Sequence, residues 1–131
     1  MSDEKGLSFI NPDQLTEPTG HYSHVCVAGD LVFVSGQIPV DDKGVPQPEM
    51  SFKDQAKLVL HNISQCLSSV DLDQSRLAQV RVYITDIKFW PEFNEVYKSW
   101  AGQSKPARAV VTVTSLHYGV ALEVEVVAAK R

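Results

Sequence analysis

Between Val120 and Ala129 the chain reads VALEVEVVAA, and its two acids, Glu123 and Glu125, fall at alternate positions of an otherwise apolar run. Successive strand residues point to opposite faces of a sheet, so the acids share one face with Val127 while Leu122, Val124 and Val126 share the other. A strand with one apolar face requires a layer to bury it. Val127 beside the acids argues mildly against leaving their face fully to solvent.

Two segments have the period of that covering layer. Phe52, Ala56, Val59, Leu60, Ile63, Cys66, Leu67 and Val70 recur at three- and four-residue steps, and Ser51 with Asp54 opens the stripe as a capping box with the shorter acid. The spacing predicts a helix from Phe52 to about Val70. Pro91 at a first turn, Phe93, Val96, Tyr97 and Trp100 on one face and Gly102 as a stop predict a second. Strands are expected over Tyr22–Ala28 and Leu31–Ser35, joined by Gly29-Asp30, over Leu77–Ile84, and over about Ala109–Thr114 and Val120–Ala129. The order β-β-α-β-α-β-β predicts an α+β fold, a mixed sheet with both helices on one face. Strands joined through a helix are expected as parallel neighbours, and each terminal pair as a hairpin. With both helices used on one face, a second copy of the chain is the expected cover of the other.

At 131 residues the chain is read as an irregular arm, 1–19, followed by a single domain, 20–131. The net charge is −4 and the twelve Lys and Arg are scattered, so no nucleic-acid footprint is expected. There is no apolar run of bilayer length, and MSDEKGLSF lacks the core of a signal peptide, so no membrane partner and a cytoplasmic setting are expected. Cys26 and Cys66 read as small buried hydrophobes. HExxH, CxxC, GxSxG and a glycine-rich phosphate loop are absent from the sequence, and the four histidines share no metal-binding spacing.

Arg108 stands at the threshold of a nearly uncharged β-rich run, after Lys105-Pro106-Ala107. A strand-start arginine commonly pairs with a surface acid; the alternative is an anchor whose two parallel N–H donors match a carboxylate. Glu123 and Glu125 have a solvated sheet face as their ordinary explanation. Ser35 and Gly36 end a strand with small residues that let a ligand approach exposed backbone N–H groups, or simply make a turn. Asn94 could be a surface amide, and Tyr22 a strand aromatic.

Taken together, VFVSGQIPV (Val32–Val40), YITDIKFW followed by FNEVYKSW, PARAVVTV and LEVEVVA resemble the Rid family, also called YjgF/YER057c/UK114, over about Gly20 to Lys130. The resemblance implies a chorismate mutase-like fold, a homotrimer with a central β-barrel, and clefts between subunits. It implies hydrolysis of 2-imino acids such as 2-iminobutanoate and 2-iminopropanoate to 2-oxo acids and ammonia, without a cofactor. By position, Arg108 matches the arginine that binds the substrate carboxylate and Glu123 the glutamate near the attacking water. Tyr22, Ser35, Gly36 and Asn94 match other cleft-lining positions.

The chain departs from the family pattern at His117, where Pro is usual, at Val110, where Cys is common, and at His21, where Pro usually precedes the tyrosine. A non-catalytic trimer that binds small carboxylic acids is the competing expectation; an endoribonuclease or translation inhibitor fits the scattered cations least. If the last two strands form a hairpin around His117-Tyr118, position 112 faces 123 and 108 faces 127. Arg108 and Glu123 would then lie about 13 Å apart along one ladder, and a shared substrate would need them from different subunits.

Overall fold

The computed structural model describes residues 6–131. Strands β1 (Leu7–Ile10), β2 (Val25–Ala28) and β3 (Leu31–Gln37) precede α1 (Phe52–Ser68); β4 (Leu77–Ile84), α2 (Trp90–Ala101), β5 (Ala107–Thr112) and β6 (Leu122–Ala129) follow. All six strands form one sheet in the order β1-β2-β3-β6-β4-β5. This is the expected α+β architecture.

Local chemistry sets the elements. Ser51 Oγ accepts the Asp54 N–H at 3.1 Å and so caps α1. Pro91 occupies the first turn of α2, and Gly102, at φ 63°, ends it. The Gly29-Asp30 turn, with Gly29 at φ 60°, closes the β2–β3 hairpin. From α1, Ala56, Val59, Leu60, Ile63, Cys66 and Leu67 pack with Phe93 and Tyr97 of α2 against Val32, Val80, Val82, Leu122 and Val124 of the sheet. Both helices therefore cover one face, as the two periods predict.

Three expectations change. Part of the presumed irregular arm is strand β1, paired antiparallel with β2 from Leu7↔Ala28 to Ile10↔Val25; residues 1–5 of the arm lie outside the described residues. The last two strands are not a hairpin: β6 is antiparallel to both β3 and β4, and β5 runs parallel to β4 at the sheet edge. Strands β3 and β4 are consequently not adjacent, because β6 lies between them. The connection 113–121 steps over the end of β4, pinned where Val113 N donates to Ile84 O at 2.8 Å and Thr85 N to Ala121 O at 3.1 Å. Central placement suits β6, whose Leu122, Val124, Val126 and Ala128 are all buried, better than β5, whose Ala107, Ala109 and Val111 remain exposed.

On the open face the register aligns Phe9, Cys26, Phe33 and Val127 across four strands. Phe9 is 45% exposed, Phe33 41% and the nearby Leu31 43%. Cys26 is only half-buried there, a correction to its reading as core, because even-numbered residues of β2 point away from the helices. Cys66 is fully buried, which pushes its thiol up to about 12. Among the described residues, no helix is long and apolar enough to cross a membrane.

Candidate functional site

The residues singled out from sequence divide into two recesses on opposite faces of the sheet. Arg108 is in register with buried Val80 of β4, which in turn aligns with Val126 of β6. Residues in register share a face, so Arg108 points toward the helices. Glu123 aligns with Tyr83 and alternates with buried Leu122 and Val124, so it points to the open face. Two strand spacings and three residues separate their backbones by about 14 Å. The expectation that they lie four residues apart along one ladder fails with the hairpin; their separation within one chain stands, now enforced by the sheet itself.

The cationic recess, of about 320 Å³, lies between the C-terminal half of α2 and the start of β5, and includes Asn94, Tyr97, Lys98, Lys105, Pro106 and Arg108. Arg108 Nη2 donates to Asn94 Oδ1 at 3.1 Å. Its Cζ lies 4.9 Å from the centre of the Tyr97 ring and 6.0 Å from that of Phe93. The aromatic faces attract the guanidinium electrostatically and limit its freedom without neutralising it. Among the described residues the ion pairs are Lys88–Asp86 and Arg131–Asp30, so the surface-acid reading of Arg108 finds no acid. Asn94 is brought to the site through Arg108, whose orientation it fixes.

Tyr97 was legible only as part of the buried helix stripe. Spacing from Asn94 to Tyr97, one turn on the face that also carries Phe93, was the available signal. The Tyr97 hydroxyl is buried without a hydrogen-bond partner among the described residues, and that burial raises its pKa while the nearby Arg108 cation opposes the shift.

The acidic recess, of about 680 Å³, is lined by Tyr22, Ser35, Gly36, His117, Glu123 and Glu125 among others. Its geometry begins with an irregularity in the β3–β6 register between Val34 and Gln37, which places Ser35 and Gly36 in a bulge. The Glu123 carboxylate rests directly over Gly36: a Cβ on that glycine would lie 2.9 Å from Glu123 Cδ and closer still to Oε2. Glycine is needed here for clearance. The Glu123 carboxyl is held above the usual range by burial, with Glu125 adding to the rise and His117 opposing it. Glu125 instead accepts a hydrogen bond from the Tyr83 hydroxyl, which separates the roles of the two acids.

Ser35 does not offer the free donors expected of it. Its N–H donates to His24 O at 2.9 Å and its hydroxyl to Ser23 O at 2.6 Å. Gln37 Nε2 donates to Ser35 O at 3.0 Å and approaches His24 Nδ1 at 3.2 Å, so Ser35 serves to tie the bulge to the segment before β2. Tyr22, half exposed, stands on that segment at the mouth of the recess. His117 and Tyr118, missed as lining residues, enter because the connection over β4 returns through a short 3₁₀ turn, His117–Gly119. Their place depends on the crossover, which has no periodic signal.

Chemically, one recess offers a half-buried, oriented guanidinium and the other a carboxylate of raised basicity in the same recess as an imidazole. The first suits a carboxylate ligand; the second suits proton transfer to and from water.

Comparison with known proteins follows this geometry. Residues 13–130 match the family described as endoribonuclease L-PSP. A RutC family protein of Pyrococcus horikoshii is 38% identical over 121 residues, covering 92% of this chain and 96% of that one. The crystal structure of the yeast protein YEO7 superposes with a TM-score of 0.91 at 34% identity, covering 95% and 99% of the two chains. That of Escherichia coli TdcF with bound serine gives 0.88 at 30% identity, with 95% and 99% covered.

Proposed function

The chain belongs to the endoribonuclease L-PSP family, which includes the Rid proteins, and from that premise we propose that it is a 2-imino acid deaminase whose sites lie between the subunits of a homotrimer. The carrying observation is the division of the site. An unneutralised, aromatic-held Arg108 and a Glu123 of raised pKa lie on opposite faces of one sheet, so one substrate can meet both only where two copies adjoin. The exposed apolar row through Phe9, Phe33 and Leu31 supplies the surface for such packing.

In this reading Arg108 of one subunit takes the substrate carboxylate in a two-pronged contact. The protonated imine carbon is already electrophilic, so catalysis consists mainly of orientation and proton transfer. Glu123 of the neighbour accepts a proton from water as oxygen bonds to that carbon. The reaction requires no metal or covalent intermediate. The substrates are 2-iminobutanoate, 2-iminopropanoate and their enamine tautomers.

The test generates 2-iminobutanoate in situ with a threonine dehydratase and traps the remaining imine with semicarbazide. Catalytic amounts of the protein should lower the trapped fraction; no decrease at any protein concentration would remove the deaminase reading. The second reading, a non-catalytic acid-binding trimer, draws on the serine found in TdcF. It predicts saturable binding of 2-oxobutanoate, lost in Arg108→Ala, with no change in trapping.

A further inference from the structure

Four histidines occur in the chain, and the hydrogen bonds distinguish them. His24 Nε2 donates to Thr16 O at 2.8 Å. Its Nδ1 lies 3.2 Å from Gln37 Nε2, whose other contact is Ser35 O; a carbonyl there requires the donor end of the amide, so both ring nitrogens of His24 are engaged in hydrogen bonds. His61 is tied to Gln65 at 3.1 Å. Among the described residues, neither His21 nor His117 has a ring hydrogen bond; His21 lines a neighbouring recess without Glu123, whereas His117 lines the acidic recess with it.

The turn also fixes where that ring can go. Gly119 N donates to Leu116 O at 3.4 Å and Val120 N to His117 O at 3.3 Å. Tyr118 is held at φ 61°, a left-handed conformation that a non-glycine residue adopts only at a cost. This turn places His117 at the recess, its ring centre 6.2 Å from that of Tyr118, with Val120 fully buried as the anchor.

We infer that His117 is a further catalytic residue, the proton donor to the departing amine, working with Glu123 in the recess that both line. The inference rests on the deaminase reading. Water oxygen bonds to the iminium carbon, the C=N π pair moves to nitrogen, and Glu123 takes the water proton, leaving a neutral carbinolamine. The His117 imidazolium then protonates its amino group. The C–N bond breaks with its electron pair leaving on ammonia, the hydroxyl oxygen closes the carbonyl, and its proton returns to His117. Glu123 gives its proton to the released ammonia, so one iminium ion and one water yield one 2-oxo acid and one ammonium ion. The cycle uses Glu123 ionised, and the His117 cation opposes the rise that burial imposes on the Glu123 carboxyl.

Other titratable groups lining the recess with the imidazole are Glu125 of β6, Tyr22 ahead of β2 and Tyr118 in the turn; Glu125 is in turn bonded to Tyr83 of β4, on which Arg81 acts electrostatically. The test therefore reads the pair directly. The carboxyl carbon resonance of Glu123, assigned by its loss in Glu123→Gln, is titrated in the intact protein and in His117→Asn. The expected result is a higher Glu123 pKa in His117→Asn, where the opposing cation is gone. An unchanged midpoint shows that the two groups do not interact and overturns the pair.

Kinetics supply the second reading. The wild-type kcat/KM should have an acid limb from Glu123 and a basic limb from His117. In His117→Asn the rate should fall about 100-fold, the basic limb should disappear, and the acid limb should move to higher pH because the neighbouring cation is gone. A His117→Asn profile with both wild-type limbs overturns the donor role. A coupled titration in a protein that hydrolyses no imine instead overturns the deaminase reading, and with it the proton step.

Discussion

Arg108 combines a carried charge with geometry that only a planar cation can use. Replacing it with lysine keeps the charge but loses the fork, so Arg108→Lys should weaken 2-oxobutanoate binding by about tenfold or more by calorimetry, given about 1.5–3 kcal/mol for hydrogen bonds to charged groups. Tyr97 tests what holds the guanidinium. Its hydroxyl has no partner among the described residues, so Tyr97→Phe should leave both binding and stability at or above wild type. Tyr97→Leu removes the aromatic face and should weaken binding by about 0.5–2 kcal/mol. Equal effects of the two would mean that the ring's electrons do not hold Arg108.

Glu123 illustrates a conflict between stability and use. Its folded pKa is raised, so the folded chain holds the proton more tightly than the unfolded one, and stability falls as pH rises from the ordinary value of 4.5 through the folded value. Glu123→Gln should therefore be more stable than wild type at neutral pH, with the gap closing below that window. Chemical denaturation across pH reads the difference; a variant less stable at pH 7 would mean that the carboxylate is favourably paired in the native protein. The fully buried thiol of Cys66 agrees with its place on the apolar helix stripe, whereas Cys26, read as buried, is half-buried because its position in β2 faces away from the helices.

Among the elements, β3 shows how an irregularity becomes functional. Its regular half, Leu31–Val34, pairs residue by residue with β6, and then the register shifts at Ser35-Gly36. Without that shift, Glu123 would stand beside a side chain rather than over bare backbone. Gly36→Ala places a methyl against the carboxyl group and should cost activity and about 1–3 kcal/mol of stability. In the Glu123→Ala background the same substitution should cost much less, and a double-mutant cycle by urea denaturation measures the difference. Additive effects would indicate that the glycine is needed for its backbone alone. The two helices were legible because their apolar periods are long, whereas β1, at four residues, is too short to carry a period.

At the scale of the molecule, the proposed reaction makes each recess half of a site that a second copy completes. Refolding Arg108→Ala and Glu123→Gln together should restore activity that neither shows alone, since some mixed interfaces carry both native residues. Native mass spectrometry should find the mixed trimers. If they form and no activity returns, one chain supplies both groups. The apolar open face makes the same demand from stability: Phe9, Phe33 and Leu31 are too exposed and too close together for a face meant only for water.

Side-chain chemistry and periodicity by themselves determined the helices, the β2–β3 hairpin, the two faces of β6 and the chemical character of Arg108 and Glu123, because each of these follows from spacing within one segment. Strand order was decided only in the tertiary structure. The connection 113–121 can close a hairpin or step over β4, and no local preference separates the two; the burial needed by four alternate residues of β6 favours the centre of the sheet. That choice sends Arg108 to the helical face, leaves Glu123 on the open one and brings His117 to the recess, so the assembly of the site is a consequence of long-range packing.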